Sequence, residues 1–296
     1  MGELDDILAQ LEPSLGPCEG SPTPLQGGIT NRNYRARLGG IEYVIRRHGS
    51  NTALLGIDRS AERLASETAA RLGIAPELVA ALPDGLVTRF VPCEPVPAPQ
   101  LAARVEEVAR ALHTFHDSGV GLPGRFWVPD LLLDYARLVR DRGGELPRGY
   151  AQAVEVAGRI AAALPRWEPR PCHNDLLPGN LIEAQLDGKI MIVDWEYAAM
   201  GHPLFDLGNL SVNNDFDDDA DERLLAAYDG RPPSRERWAA LKLMRLLSDA
   251  REAAWAVLQG GISQLDFDFA RYGDAHFERL LSGARGASFE EWLASA

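Results

Sequence analysis

An α+β chain in two unequal parts is what three observations on this sequence point to. Short alternating apolar stretches joined by glycine turns fill residues 1–92, proline crowds residues 91–99, and helical periodicity dominates beyond residue 100. In chain order, Leu4, Ile7, Leu8 and Leu11 share one face of a helix over 3–12, and Pro13 to Gly28 reads as loop. Tyr34–Leu38 alternates, Gly39-Gly40 turns the chain, and Ile41–Arg46 returns as a second strand. A helix fits 58–72, stopped by Gly73 with Pro76 beyond. Leu78–Leu82 and Leu86–Val91 flank the turn Pro83-Asp84-Gly85, so the first part reads β-β-α-β-β. Val91–Pro99 is too rich in proline for a regular element and reads as a stiff connector. Helices are expected over 100–118, 130–141, 149–164, 219–228, 234–259 and 266–282, with a non-helical island at 170–210. The division is therefore 1–92, a hinge or linker at 93–99, and 100–296.

Composition limits the function. In 296 residues, 46% hydrophobic content suffices for one large domain or two intimate lobes. Acidic residues outnumber basic ones, 43 to 30, and the net charge of −13 argues against a nucleic-acid binder, which needs clustered Lys and Arg. It suits a neutral or cationic small-molecule partner. No apolar run reaches the roughly 18 residues of a membrane span, so membrane insertion is not expected. The acidic start MGELDDILAQLE is no secretory signal, and Cys18, Cys93 and Cys172 lack metal or redox spacing. A cytoplasmic setting is expected. The Asp-rich stretch from Asp215 to Glu222 reads as a solvated loop and helix start.

The island carries the chemistry. His173-Asn174-Asp175 is followed by Asn180, and fourteen residues later the strand Ile190–Val193 ends in Asp194. Phosphoryl transfer from ATP needs one carboxylate to orient and deprotonate the attacking hydroxyl. It also needs a second carboxylate and an amide oxygen to hold Mg²⁺. A loop of form H-x-D-x-x-x-x-N before a strand-ending Asp supplies all three: Asp175 as the base, Asn180 and Asp194 as metal ligands.

The first part offers nucleotide-binding groups. Gln26-Gly27-Gly28-Ile29-Thr30-Asn31 precedes the first strand; Gly28 lets backbone N–H groups approach phosphates, and Thr30 and Asn31 add donors. Arg46 ends the second strand where a kinase V-A-I-K strand has Lys, and its guanidinium can grip phosphate. Glu62 on the following helix is its expected partner, with Glu67 the second choice. Adenine is expected at main-chain groups near Arg89, Phe90 and Val91.

The segments GGITNRNY, YVIRR, TRFVP, CHNDLLPGNLI and IVDWEYAAMGHPLFDLGN resemble the choline/ethanolamine kinase group, within the aminoglycoside phosphotransferase-like, protein-kinase-like superfamily. The resemblance runs from about residue 25 to 282. It implies a two-lobed protein-kinase-like fold: a small antiparallel sheet lobe with one helix that binds nucleotide, and a larger, mainly helical lobe for catalysis and acceptor binding. It further implies ATP, Mg²⁺ and transfer to a small-molecule hydroxyl, with His173 and Asp206 supporting the catalytic loop.

For the acceptor, the resemblance places Tyr197 and Trp255 as pocket aromatics; Glu196 and Glu252 are the candidate acids beside a choline- or ethanolamine-like cation, Glu252 sharing a helical face with Trp255. Trp255 serves a core as well as a pocket wall, and Glu252 also suits a surface acid paired with a neighbouring Arg. Glu252 stands where the animal choline kinases have Trp, and Asn213-Asn214 where they have Glu-Trp. Those departures suggest a less methylated or larger cationic substrate. Thiamine-type alcohols and aminoglycosides stay open as acceptors. A nucleotide-binding pseudokinase also stays open, although intact Asp175, Asn180 and Asp194 weigh against it. His113 and His116 lack a third ligand and read as helix-face residues, and Cys172 as a small buried side chain.

Overall fold

The computed structural model describes residues 4–25, 31–49 and 52–296. Helix α1 (Asp5–Leu15) lays Ile7 and Leu11 against Leu38, Tyr43, Ile45 and Val87, forming the small core of an antiparallel sheet. That sheet contains β1 (Thr23–Leu25), β2 (Arg32–Leu38), β3 (Ile41–Arg47), β4 (Leu78–Leu82) and β5 (Gly85–Arg89), in the order β1-β2-β3-β5-β4. Gly39 and Gly40 both take positive φ at the β2–β3 turn, and a Cβ on Gly39 would collide with the Leu15 carbonyl oxygen. β1 lies in the stretch expected to be loop. It has three residues at a sheet edge, where Pro24 costs no ladder bond, so no alternation announces it.

Between β3 and β4 comes α2 (Arg59–Arg71), capped by Asp58, whose carboxylate accepts from the Ser60 and Ala61 amides. Its Ala65 and Ala69 pack with Leu55, Ile57, Ile74 and Ala75 into the large core of the molecule, not under the small sheet. The helix is thereby rigidly tied to the elements that carry the island.

The connector differs from expectation. Cys93–Pro95 forms β6, the edge of a three-stranded sheet β6-β8-β9 with β8 (Leu181–Ala184) and β9 (Ile190–Ile192). An edge strand tolerates proline because its outer N–H needs no partner, and the Val96 amide still reaches the Leu181 carbonyl at 3.0 Å. Helix α3 (Ala98–Ala103) follows at once, with Pro99 in its first turn.

The rest is mainly helical: α4 (Val105–His116), α5 (Val128–Asp141), α6 (Arg148–Ala163), then the strand β7 (Arg170–Cys172), which pairs with β10 (Ala199–Gly201). The island is not free of helix. Pro203–Asn213 forms α7, nine of whose eleven residues are buried, so it shows no amphipathic period to read. Gly208 allows it to press against α9 (Arg235–Ile262), since a Cβ there would lie 2.6 Å from that of Met244. α8 (Asp218–Asp229) precedes α9; α10 (Phe269–Arg285) and α11 (Ala287–Ser295) close the chain.

The acidic stretch is not simply solvated. Asp217 caps α8, but Asp221 is fully buried, accepting from Lys242 and Arg245 at 2.5 Å each and from the Ser211 hydroxyl. All three cysteines are free, and no described helix is long and apolar enough to cross a membrane.

Candidate active site

Helix α7 organises the loop that follows β7. Asp206, in its first turn, accepts from the backbone amides of His173 at 2.8 Å and Asn174 at 2.7 Å. The same carboxylate meets His116 Nε2 at 2.9 Å, and the other His116 nitrogen lies 2.7 Å from the Tyr228 hydroxyl. Three residues further along α7, Asn209 Oδ1 accepts from the Leu176 amide at 2.5 Å. Asn174 takes φ 66°, the left-handed conformation that Asn tolerates, and donates to the Tyr197 carbonyl at 3.0 Å. His173 donates from Nε2 to the Val193 carbonyl and accepts the Asp175 amide on Nδ1, a pairing that only the neutral ring permits. Burial lowers its pKa in the same sense.

This loop brings the three island residues onto adjoining turns. Asn180 Nδ2 donates to the Asp175 carbonyl at 2.7 Å and lies 3.4 Å from Asp175 Oδ2. The Val193 amide donates to the Asn180 carbonyl at 2.9 Å, and Asp194 follows in a left-handed conformation at φ 66°. Asn180 Oδ1 and the Asp194 carboxylate are hard oxygen donors of the kind Mg²⁺ takes, so the donor set fits that ion. The buried trio His116, Cys172 and Asp206 also lies within ligand reach of one another. Its His and Asp atoms are spent on hydrogen bonds, and burial holds the Cys172 thiol well above its usual range.

An ionic chain runs from the small sheet to this platform. Arg46, on β3, bonds Asp194 through Nη1 and Glu62 through Nη2 at 2.5 Å. The partner is therefore Glu62; Glu67 pairs with Arg63 at the surface. Arg59 donates to Glu62 at 2.7 Å and to Glu196 at 3.3 Å, and Asn31 donates to Glu196 at 2.9 Å. Burial disfavours charge on Arg46, but Asp194, Glu62 and Glu196 together raise its pKa. Burial, then the neighbouring Asp194, pushes the Glu196 carboxyl up to about 7.

At the other end lie Tyr197, Trp255 and Glu252, all buried. Trp255 Nε1 donates to the Tyr197 hydroxyl at 2.8 Å, and Tyr272 donates to Glu252 at 3.0 Å. Arg251 lies among them and reaches Asp175 Oδ1 at 2.9 Å. Burial pushes the Asp175 carboxyl up to about 8, against the opposing pull of Arg251.

Glu196, expected beside the acceptor, has Asn31 and Arg59 as its hydrogen-bond partners. The Phe90 amide is already bonded to the Glu42 carbonyl and that of Arg89 to Glu77, while Arg35 covers the Phe90 ring at 4.1 Å. Glu252 is not a surface acid, being 1% exposed. Gly28 and Thr30 lie outside the described residues. Arg59, Tyr272, Asn209 and Arg251 are the participants that sequence reasoning missed. Of these only Arg251 had a usable signal, its position four residues before Trp255 on one helical face.

A small antiparallel sheet whose Arg–helix Glu pair faces an Asp-bearing loop and a strand-ending Asp defines a protein-kinase-like phosphotransferase. Residues 21–241 match the family model described as "Phosphotransferase enzyme family", and the chain belongs to that family. Among curated proteins it is 27% identical over 316 residues to mouse ethanolamine kinase 2, covering 94% of this chain and 81% of that one. It is 25% identical over 213 residues to protein LicA of Haemophilus influenzae, covering 68% of this chain and 61% of LicA. Among solved structures, a choline/ethanolamine kinase family protein from Mesorhizobium loti superposes with TM-score 0.83 at 29% identity over 98% of both chains. A spectinomycin phosphotransferase, at TM-score 0.62 and 14% identity over 94% of this chain and 97% of that one, shares the fold. The chain is a small-molecule kinase, an ATP-dependent phosphotransferase.

Proposed function

We propose that this enzyme transfers the γ-phosphoryl group of ATP to the hydroxyl of a small amino alcohol. The observation that carries the reading is the convergence of Asp175, Asn180 and Asp194 on turns joined by the Val193–Asn180 and Asn180–Asp175 bonds. The relatives' names supply the acceptor class. Residues 1–92 would serve as the nucleotide lobe, the 93–99 segment as the joint, and residues 100–296 as the catalytic and acceptor-binding lobe.

In this reading Asp175 is the base. Arg251 anchors Oδ1, which leaves Oδ2 to orient the acceptor hydroxyl and take its proton as the phosphorus–oxygen bond forms. A carboxyl poised near 8 by burial suits a group that must accept and later release that proton. Asn180 and Asp194 would hold Mg²⁺, which when bound supplies positive charge against the phosphate oxygens. Arg46, steadied by Glu62, would turn its guanidinium to the phosphates, and Asn31 holds Glu196 nearby. Asp218 and Asp221 of the acidic stretch are paired with Lys242 and Arg245.

The test is ADP release from Mg²⁺-ATP with ethanolamine, choline, serine, thiamine, simple sugars and aminoglycosides. Saturable turnover on an amino alcohol, abolished by EDTA, is expected. Turnover confined to aminoglycosides or sugars would overturn the acceptor class, and ATP binding without turnover on any alcohol would favour a pseudokinase.

A further inference from the structure

The acceptor end already contains a cation of its own. Arg251 is 2% exposed, and its guanidinium carbon stands 4.3 Å from the centre of the Tyr197 ring. Its Nη1 donates to Glu252 at 2.6 Å and to Asp175 at 2.9 Å. Tyr272 engages the other Glu252 oxygen at 3.0 Å. A pocket that reads an ammonium needs an aromatic face and a carboxylate oxygen with room for a positive charge. Here a side chain of the protein makes both contacts.

What Arg251 leaves unmet has the opposite character. Its Nε and Nη2 are buried and have no hydrogen-bond partner among the described residues. Guanidinium nitrogens only donate, so the demand left beside Asp175 is for oxygen lone pairs. The charge is permanent, because arginine does not deprotonate in proteins, and Glu252 and Asp175 hold it in place despite burial. A methylated ammonium entering this space meets a like charge already over the Tyr197 ring, and a site of this kind selects by repulsion as much as by attraction.

We propose that Arg251 is a specificity-determining residue. By occupying the Tyr197–Glu252 seat it excludes quaternary ammonium alcohols and selects an alcohol bearing a further oxygen function, a hydroxyl or carboxylate, beside the hydroxyl that is phosphorylated. The proposal rests on reading this cleft as the acceptor site of a kinase.

The experiment compares kcat/KM for choline, ethanolamine, L-serine and glycerol in the wild type and in Arg251→Met, which keeps an unbranched side chain without the charge. Ratios between substrates within each protein cancel any general loss of rate. In the wild type, serine or glycerol is expected to exceed choline by about tenfold or more, and R251M should bring choline up by about tenfold or more relative to both. Choline as the preferred wild-type acceptor, or an unchanged order in R251M, overturns the proposal. If the wild type phosphorylates none of the four, the amino-alcohol reading falls, and calorimetric titration with choline still decides the role of Arg251. Binding tightened about tenfold in R251M supports it, and equal binding overturns it. Should R251M fail to fold, the wild-type order decides alone, as does the failure or success of choline in displacing serine or glycerol.

Discussion

Around Asp175, Asn180 and Asp194, backbone does the positioning. Asp206 and Asn209 on α7 hold the amides of His173, Asn174 and Leu176, and the Val193 amide ties Asn180 to the strand that delivers Asp194. At the proposed acceptor end, side chains position one another: Trp255 holds Tyr197, Tyr272 holds Glu252, and Arg251 joins Glu252 to Asp175. The first arrangement fixes chemistry to the chain itself and tolerates little change. The second can be rebuilt by exchanging one helix residue, which is where a family sharing one reaction can vary its substrates.

Four substitutions test that contrast, in descending size. Asp175→Asn should lower kcat by about 10²–10⁴ while ATP binding persists, measured in the ADP-release assay with a calorimetric ATP titration. A rate equal to the parent's would remove Asp175 from the chemistry. Asp206→Ala deprives two buried amides of their acceptor, so urea denaturation should show a loss of about 3 kcal/mol or more, at about 1–3 kcal/mol per orphaned group. A loss below about 1 kcal/mol would mean that the loop does not depend on α7.

The third concerns the start of α7. His202 accepts the Leu204 amide on Nδ1, and burial, with Arg237 next, lowers its pKa from 6.5 to about 3. Below the unfolded value the unfolded chain binds a proton that the native ring refuses, so stability falls with pH between about 6.5 and about 3. From about pH 7 to about pH 5 this group should cost roughly 2 kcal/mol. Asn caps without titrating, so His202→Asn should flatten that part of the urea-stability profile. A slope identical to the parent's would show that the ring charges in the native state. The smallest effect is expected at the acceptor end. Trp255→Phe keeps the ring and removes one donor, so acceptor KM should rise about fivefold with kcat nearly unchanged, in line with about 1 kcal/mol for one hydrogen bond. A larger fall in kcat than rise in KM would tie Trp255 to the chemical step and blur the contrast between the ends.

Legibility followed the same line. The spacing of Asp175, Asn180 and Asp194 was readable because one short loop and one hairpin join them, and local chain geometry leaves them few arrangements. Arg46 and its choice between Glu62 and Glu67 were half readable: the strand and helix show in the pattern, the pairing across them does not. β6 was missed because Cys93 finds Ala184 far along the chain, and α7 because burial on every side erases its period. Asp221, which composition places in solvent, is drawn inside by Lys242 and Arg245 from α9.

Residue order alone was enough for the two-part architecture, the strand–turn and helix-cap signals, and the closeness of Asp175, Asn180 and Asp194, because each depends on contacts between near neighbours in the chain. Which cation sits on Tyr197, and which partners Glu196 and Glu252 take, were settled only when α2, α9, α10 and the 173–175 loop closed together. Burial makes the difference. A charge taken out of water must find its partners wherever packing provides them, and Arg251 adds to its sequence neighbour Glu252 a second partner, Asp175, which the sequence keeps far away.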